Sequence, residues 1–242
     1  MRTERRFIEV GGIPVEVVRK PIKNLHLGVY PPTGRVRVAV PERMDEEAVR
    51  LAVVSRLGWI RRQQARFAEQ PRESAREMVT GESHYLWGRR YRLEVIEYNG
   101  PYRVELKGRS RLVLHVRPLA DTARRRRLLD DFYRQELKQR IPPLLEQWQQ
   151  AIGVRVAHWG IKKMKTRWGS CNPVARRIWL NLELAKKPPR SLEYVLVHEM
   201  VHLLERHHND RFRALMDHFL PSWRLLRDQL NLSPISGEYW EK

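Results

Sequence analysis

Apolar and polar positions alternate with a period of two through residues 5–41, as in Val15-Glu16-Val17-Val18-Arg19 and Arg35-Val36-Arg37-Val38-Ala39-Val40. Successive side chains of a strand point to opposite faces, so this stretch predicts strands with one buried face. Over residues 44–69 the period changes. Ala48, Leu51, Ala52, Leu57, Ile60 and Ala65 recur at mainly helical intervals, which predicts helix. Gln70-Pro71-Arg72-Glu73-Ser74 is a polar break. Residues 84–117 predict two or three strands, with turns at Asn99-Gly100-Pro101 and Lys107-Gly108-Arg109-Ser110. Residues 122–150 predict a long helix bent at Pro142-Pro143. Residues 154–163 and 177–184 are strand-like. Residues 192–204 are apolar on most sides, the pattern of a buried helix. Arg206-His207-His208-Asn209-Asp210 has turn composition, so that helix should end near Arg206. A second helix starts around Phe212, and a short one follows over residues 222–230. The prediction is an α+β chain: a β-rich region with one helix over residues 1–118, then a second region over 119–242. No repeat or low-complexity tract is present.

Composition narrows the class. A chain of 242 residues with 42% hydrophobic content can bury a full core. It has no apolar run of about eighteen residues, so no membrane span is expected. Met1-Arg2-Thr3-Glu4-Arg5-Arg6 is not followed by an apolar segment, so no secretory leader is expected. The single cysteine, Cys171, excludes an intramolecular disulfide. Together these point to the cytoplasm. The formal charge is +19 and uneven. Residues 147–182 contain no acid but seven basic residues: Arg155, Lys162, Lys163, Lys165, Arg167, Arg176 and Arg177. Trp148, Trp159, Trp168 and Trp179 punctuate the same stretch. Basic charge interleaved with aromatics is the composition of a surface that follows a polyanion and stacks on bases. The plainer reading is solubilising charge around core tryptophans. The run Arg124-Arg125-Arg126-Arg127 leads the long helix and reads as a solvated helix start.

The candidate chemistry is concentrated in His198-Glu199-Met200-Val201-His202. Two histidines four residues apart share one helix face and can hold one metal ion. Zinc suits imidazole nitrogen and keeps an open position in hydrolytic sites. Glu199, beside the first histidine, would take a proton from a metal-activated water without itself ligating. A third ligand is expected at His207 or His208, between which spacing does not choose. Glu183, Glu193 and Glu205 are alternative carboxylate ligands, or surface charges paired in a basic protein. Lys165, Arg167 and Tyr194 are candidate donors to a developing oxyanion. Ser170 and Cys171 are not needed as nucleophiles where an activated water does that work. Asn181 either bonds into the site or ends its strand. The strand at 177–182 would offer a sheet edge to an extended substrate.

Several blocks also resemble a known family. Lys165-Thr166-Arg167-Trp168-Gly169-Ser170-Cys171, Ile178-Trp179-Leu180-Asn181, the run Tyr194 to Leu203 around the two histidines, His208 and Phe212 are similar to the YgjP-like metallopeptidases. So are Val38-Ala39-Val40-Pro41, Gly58-Trp59-Ile60 and the segment from Gly81 to Leu86-Trp87-Gly88. That family is related to SprT-like and gluzincin-type zinc peptidases. The resemblance implies a zincin-type catalytic half with one zinc per chain. It aligns His208 with the third ligand and puts His207 where the family has asparagine. The expected activity is hydrolysis of peptide bonds in a peptide or protein substrate, with His198, His202 and His208 as ligands and Glu199 as general base. The alternatives are a metal-dependent nucleoside triphosphate or phosphoester hydrolase, and a DNA-associated SprT-like protease using the basic tryptophan-rich stretch.

Overall fold

The computed structural model describes residues 5–30, 33–69, 76–164 and 167–232, which form two compact units. The first contains residues 5–69. Strands β1 (Arg5–Val10), β2 (Ile13–Lys20), β3 (His26–Tyr30) and β4 (Arg35–Pro41) form a sheet in the order β1-β2-β4-β3. The β2–β4 pair is parallel and the other two pairs are antiparallel. The alternating valines explain the fold: Val15, Val36, Val38 and Val40 are fully buried and pack with Val49, Val53 and Ile60 of the helices. The single helix expected over 44–69 is two, α1 (Glu46–Val54) and α2 (Leu57–Glu69). The break falls at Ser55, whose hydroxyl donates back to the Ala52 carbonyl at 3.0 Å, a local bond that competes with helix continuation.

The second unit contains residues 76–232. Strands β5 (Ser83–Leu86), β6 (Arg89–Glu97), β7 (Arg103–Lys107) and β8 (Arg111–Val116) form a sheet in the order β5-β6-β8-β7, four strands where the pattern promised two or three. Trp87 (φ 51°) and Gly88 (φ 78°) make the two-residue turn between β5 and β6. Two successive positive φ angles match the twist of a tight hairpin. Helix α3 (Thr122–Ile152) follows. Asp121 caps it, accepting from the Arg124 amide at 2.7 Å, and Gly153 ends it in the left-handed region. The helix runs unbroken through Pro142 and Pro143. Its buried side chains, including Leu129, Tyr133, Leu137, Ile141 and Leu145, recur every four residues along one face.

A second sheet follows, made of β9 (His158–Lys162), β10 (Gly169–Asn172) and β11 (Arg177–Asn181) in the order β10-β11-β9. A 3₁₀ turn at Leu182–Lys186 leads to α4 (Pro189–Val201), α5 (Asp210–Phe219) and α6 (Trp223–Leu232). One continuous core joins Leu93, Leu112 and Leu114 of the first sheet, the buried face of α3, Ile178 and Leu180 of β11, and Leu196 and Val197 of α4. This shared core corrects the expected boundary between residues 118 and 119. Strands β5–β8 bury their apolar face against the same helix as the second sheet, so they belong with the C-terminal elements.

Candidate metal centre

Helix α4 begins at Pro189, where a fixed φ and a missing amide donor cost nothing. Leu192, Val195, Leu196, Val197, Met200 and Val201 are all buried, which fixes the helix in the core. His198 and Glu199 lie in its last turn, and His202 is its C-cap residue. The helix therefore stops short of the expected end near Arg206. Leu203 and Leu204 donate to the Met200 and Val201 carbonyls at 2.9 Å, and the chain turns back. Asn209 caps α5, its side chain accepting from the Phe212 amide at 2.9 Å. Arg213 donates to the His208 carbonyl at 3.2 Å. Cap and arginine together set the position of His208.

The three side chains converge. One nitrogen from each of His198, His202 and His208 can be chosen so that all three lie within 4.8 Å of one another. The Nε2 atoms of His198 and His208 face each other at 3.0 Å. Two ligands of a tetrahedral zinc ion with Zn–N of 2.0–2.1 Å stand about 3.3 Å apart, so the pair already has nearly that spacing. Phe212 forms a floor: its ring centroid is 5.0, 4.7 and 4.7 Å from those of His198, His202 and His208. His202 Nδ1 lies 3.1 Å from the Glu205 carbonyl. As donor to that oxygen it leaves Nε2 as the free lone pair. Burial, then the neighbouring His202 and His208, push His198 down to about 3. Burial also lowers His202. Neutral imidazoles are the ligating form. His198 Nδ1 is buried with no hydrogen-bond partner among the described residues. This set of donors fits a zinc ion.

Glu199 is buried beside the trio at 6% exposure. Its neighbour explains part of the tryptophan-containing motif. A Cβ built on Gly169 would lie 2.6 Å from Glu199 Oε1 and 2.7 Å from its Cγ. Only glycine lets β10 press against this carboxylate. Burial raises Glu199 to about 8, with Arg167 pulling the other way. Tyr194, one turn before His198, stands edge-on to it at 5.8 Å, and burial lifts its phenol to about 12. Cys171 is also pushed up to about 12, by burial and then by Glu199. A thiol held protonated is a poor nucleophile. These groups line a cleft of about 880 Å³ together with Ser170, Asn172, Arg167 and Arg206.

Other expectations resolve differently. The strand ending at Asn181 is paired on both sides, with β9 and with β10, so it offers no edge. The edge strand lining the cleft is β10, where the sequence Gly169-Ser170-Cys171-Asn172 shows no alternation. Asn181 is fully buried and ends its strand, and its bonds go to neighbouring backbone rather than to the histidines or Glu199. Its amide donates to the carbonyls of Met164 at 2.8 Å and Arg167 at 2.7 Å, and its oxygen accepts from the Glu183 amide at 3.2 Å. It thereby ties down both flanks of the segment carrying Lys165 and Thr166, two residues outside the described ones. Glu183 pairs with Lys186 at 2.8 Å. Glu205 gives its carbonyl to His202 and its carboxylate to the His207 amide at 3.1 Å. Neither these two carboxylates, nor Glu193, nor the exposed His207 joins the trio. Phe212, Gly169 and Asn209 shape the site without having been singled out for it. Asn209-Asp210 ahead of an apolar run is a helix-cap signal that could have located the third.

A family model described as YgjP-like, metallopeptidase domain, matches residues 23–233. No match is found among the curated proteins. Two solved metallopeptidase zymogens show similarity. Pyrococcus abyssi abylysin is 19% identical over 37% of this chain and 90% of its own, with a TM-score of 0.35. Methanocaldococcus jannaschii jannalysin is 16% identical over 37% of this chain and 92% of its own, with a TM-score of 0.34. Among the described residues no helix is long and apolar enough to cross a membrane.

Proposed function

The chain belongs to the YgjP-like metallopeptidase family, and from that premise we propose that it is a zinc-dependent endopeptidase acting through His198, His202, His208 and Glu199. The observation carrying this reading is the convergence of three imidazoles beside one buried carboxylate. One zinc ion per chain would be held by the three histidines and would supply Lewis-acid chemistry, polarising the scissile carbonyl and acidifying a water. Glu199 accepts the proton of the attacking water and hands it to the leaving amine. Burial raises the proton affinity of this carboxyl, which suits the transfer to the amine, and the charge of a bound zinc ion would favour its ionised form for the first transfer. Tyr194 stays protonated and can donate to the oxyanion as a neutral phenol, with the Arg167 guanidinium in the cleft lining as a second, positively charged donor. The edge of β10 offers backbone partners to an extended peptide. The exposed charged side chains of the cleft are Arg167 and Arg206, which favours substrates carrying acidic residues.

The test is cleavage of a peptide library by zinc-loaded protein, with nucleoside triphosphates assayed in parallel. Peptide cleavage that prefers acidic sequences and disappears in Glu199→Gln is expected. Triphosphate hydrolysis without peptide cleavage would replace this reading by the phosphohydrolase alternative.

A further inference from the structure

The sheet that carries the metal helix on one face has a second face. In β11, Ile178 and Leu180 are fully buried, so Arg177 and Trp179 point the other way. In β9, Ile161 is buried, and His158, Gly160 and Lys162 share the outward face. Gly160 is paired with Trp179, and a Cβ there would lie 2.3 Å from Cζ3 of the indole. The glycine is what allows the ring to lie on the sheet. Lys162 Nζ sits 3.7 Å from the ring centroid, and the Arg177 guanidinium carbon 6.0 Å from it. The Ala157 amide donates to the Arg176 carbonyl at 2.8 Å, which joins the chain just before β9 to the chain just before β11, and Arg155 and Arg176 near that junction are exposed.

These cations lack counter-charges. Residues 147–182 contain no acid. Lys163 pairs with Asp130, but exposed Arg155, Lys162, Arg176 and Arg177 form no ion pair with a described carboxylate. The other tryptophans of the stretch are spent differently: Trp148 is buried at 8% exposure, and Trp159 and Trp168 pack on the core. The sheet face thus combines one half-buried indole with exposed positive charge close to it, Lys162 over the ring and Arg177 beside it. An acidic peptide would satisfy the charge but not the aromatic plane. An unpaired base satisfies both: it stacks on the ring in place of the flexible Lys162 ammonium that lies over it, and its phosphates meet the displaced cation and its neighbours.

We propose that the outward face of the β9–β11–β10 sheet, centred on Trp179 with Lys162 and Arg177, binds single-stranded nucleic acid without strong sequence preference. Trp179, Lys162 and Arg177 do not line the metal cleft, which this face meets only at Ser170 and Asn172 of β10, and the inference does not depend on what the cleft hydrolyses.

The test is fluorescence anisotropy of the full chain with a labelled oligothymidylate of about fifteen nucleotides, titrated across salt. Four phosphate contacts give a log–log salt slope of about −3. Lys162→Gln with Arg177→Gln should flatten the slope to about −1.5 and weaken binding roughly twentyfold at about 0.1 M salt. Both changes are on exposed side chains, and a matching thermal melt checks the fold. The charge-matched control Arg124→Gln with Arg127→Gln should stay within about twofold of wild type. The proposal is overturned if the control pair loses as much as the sheet pair, or if the sheet pair changes nothing. It is equally overturned if a duplex of the same length binds as tightly as the single strand, or if polyglutamate displaces the oligonucleotide as well as unlabelled oligothymidylate does.

Discussion

His198 and His202 are readable from spacing alone, because four residues make about one helical turn. Their rings do stand 5.0 Å apart. His208 is not readable that way, since its approach depends on a turn and a cap rather than on a period. Its assignment came from resemblance, and the structure brings its Nε2 to 3.0 Å from that of His198. Zinc titration of His207→Ala and His208→Ala should separate the two: loss of His208 is expected to weaken binding at least tenfold, loss of His207 less than twofold. The reverse order would move the third ligand. Glu199→Gln should keep zinc and lose at least about a hundredfold in turnover, the scale of a general base. Retained turnover would end that role. Gly169→Ala should do similar damage by a different route. Its Cβ cannot share space with the Glu199 carboxylate, so either the strand or the carboxylate must move. A crystal structure of that variant with both β10 and Glu199 undisplaced would contradict the steric argument.

At the scale of elements, alternation found the valine-rich strands and helical spacing found α3, because each buries one face continuously, while α4 stood out as apolar on most sides and is buried accordingly. It missed β10, which is short, glycine-led and held by pairing with β11 rather than by its own apolar face. It also merged α1 with α2, since a single serine break leaves the period almost intact. The β5–β6 hairpin carries a consequence for pH. His84 on β5 is 2% exposed and 3.2 Å from Glu82. Burial, then Arg76, lowers it to about 4, against the opposing bond to Glu82. The folded state therefore keeps His84 neutral while the unfolded chain protonates it below pH about 6.5. Stability from this group is fully present above pH about 6.5 and declines as pH falls toward about 4, by a total on the order of 1–3 kcal/mol. Denaturant midpoints measured across that window should fall with acid, and His84→Gln should flatten the curve. An unchanged slope in the variant would assign the acid sensitivity to other groups.

For the whole molecule, the sequence pattern could not tell which core the strands of residues 83–116 would join. Alternation reveals that a strand has a buried face, not what covers it. The structure joins them to α3, and α3 to the sheet and helices that present the three histidines. That continuity makes metal binding a matter of stability for residues 76–232 as a unit. His198 and His202 sit at the end of the most buried helix, and His208 sits at the start of α5. No preformed set of three imidazoles exists in an unfolded chain, so binding to the folded state alone stabilises it by about 4 kcal/mol at a thousandfold excess over Kd. For a unit of this size, about 2–4 °C accompanies each kcal/mol, which predicts a rise in Tm of roughly 8–16 °C. Thermal melts of chelator-treated protein, with and without added zinc, should show that rise. His202→Ala should abolish it, because two remaining imidazoles cannot close the site. Glu199→Gln should retain it, because the carboxylate does not ligate. A melt indifferent to zinc in the native chain would mean that the three histidines hold no structural stake in the metal, and the proposed centre would fall with it.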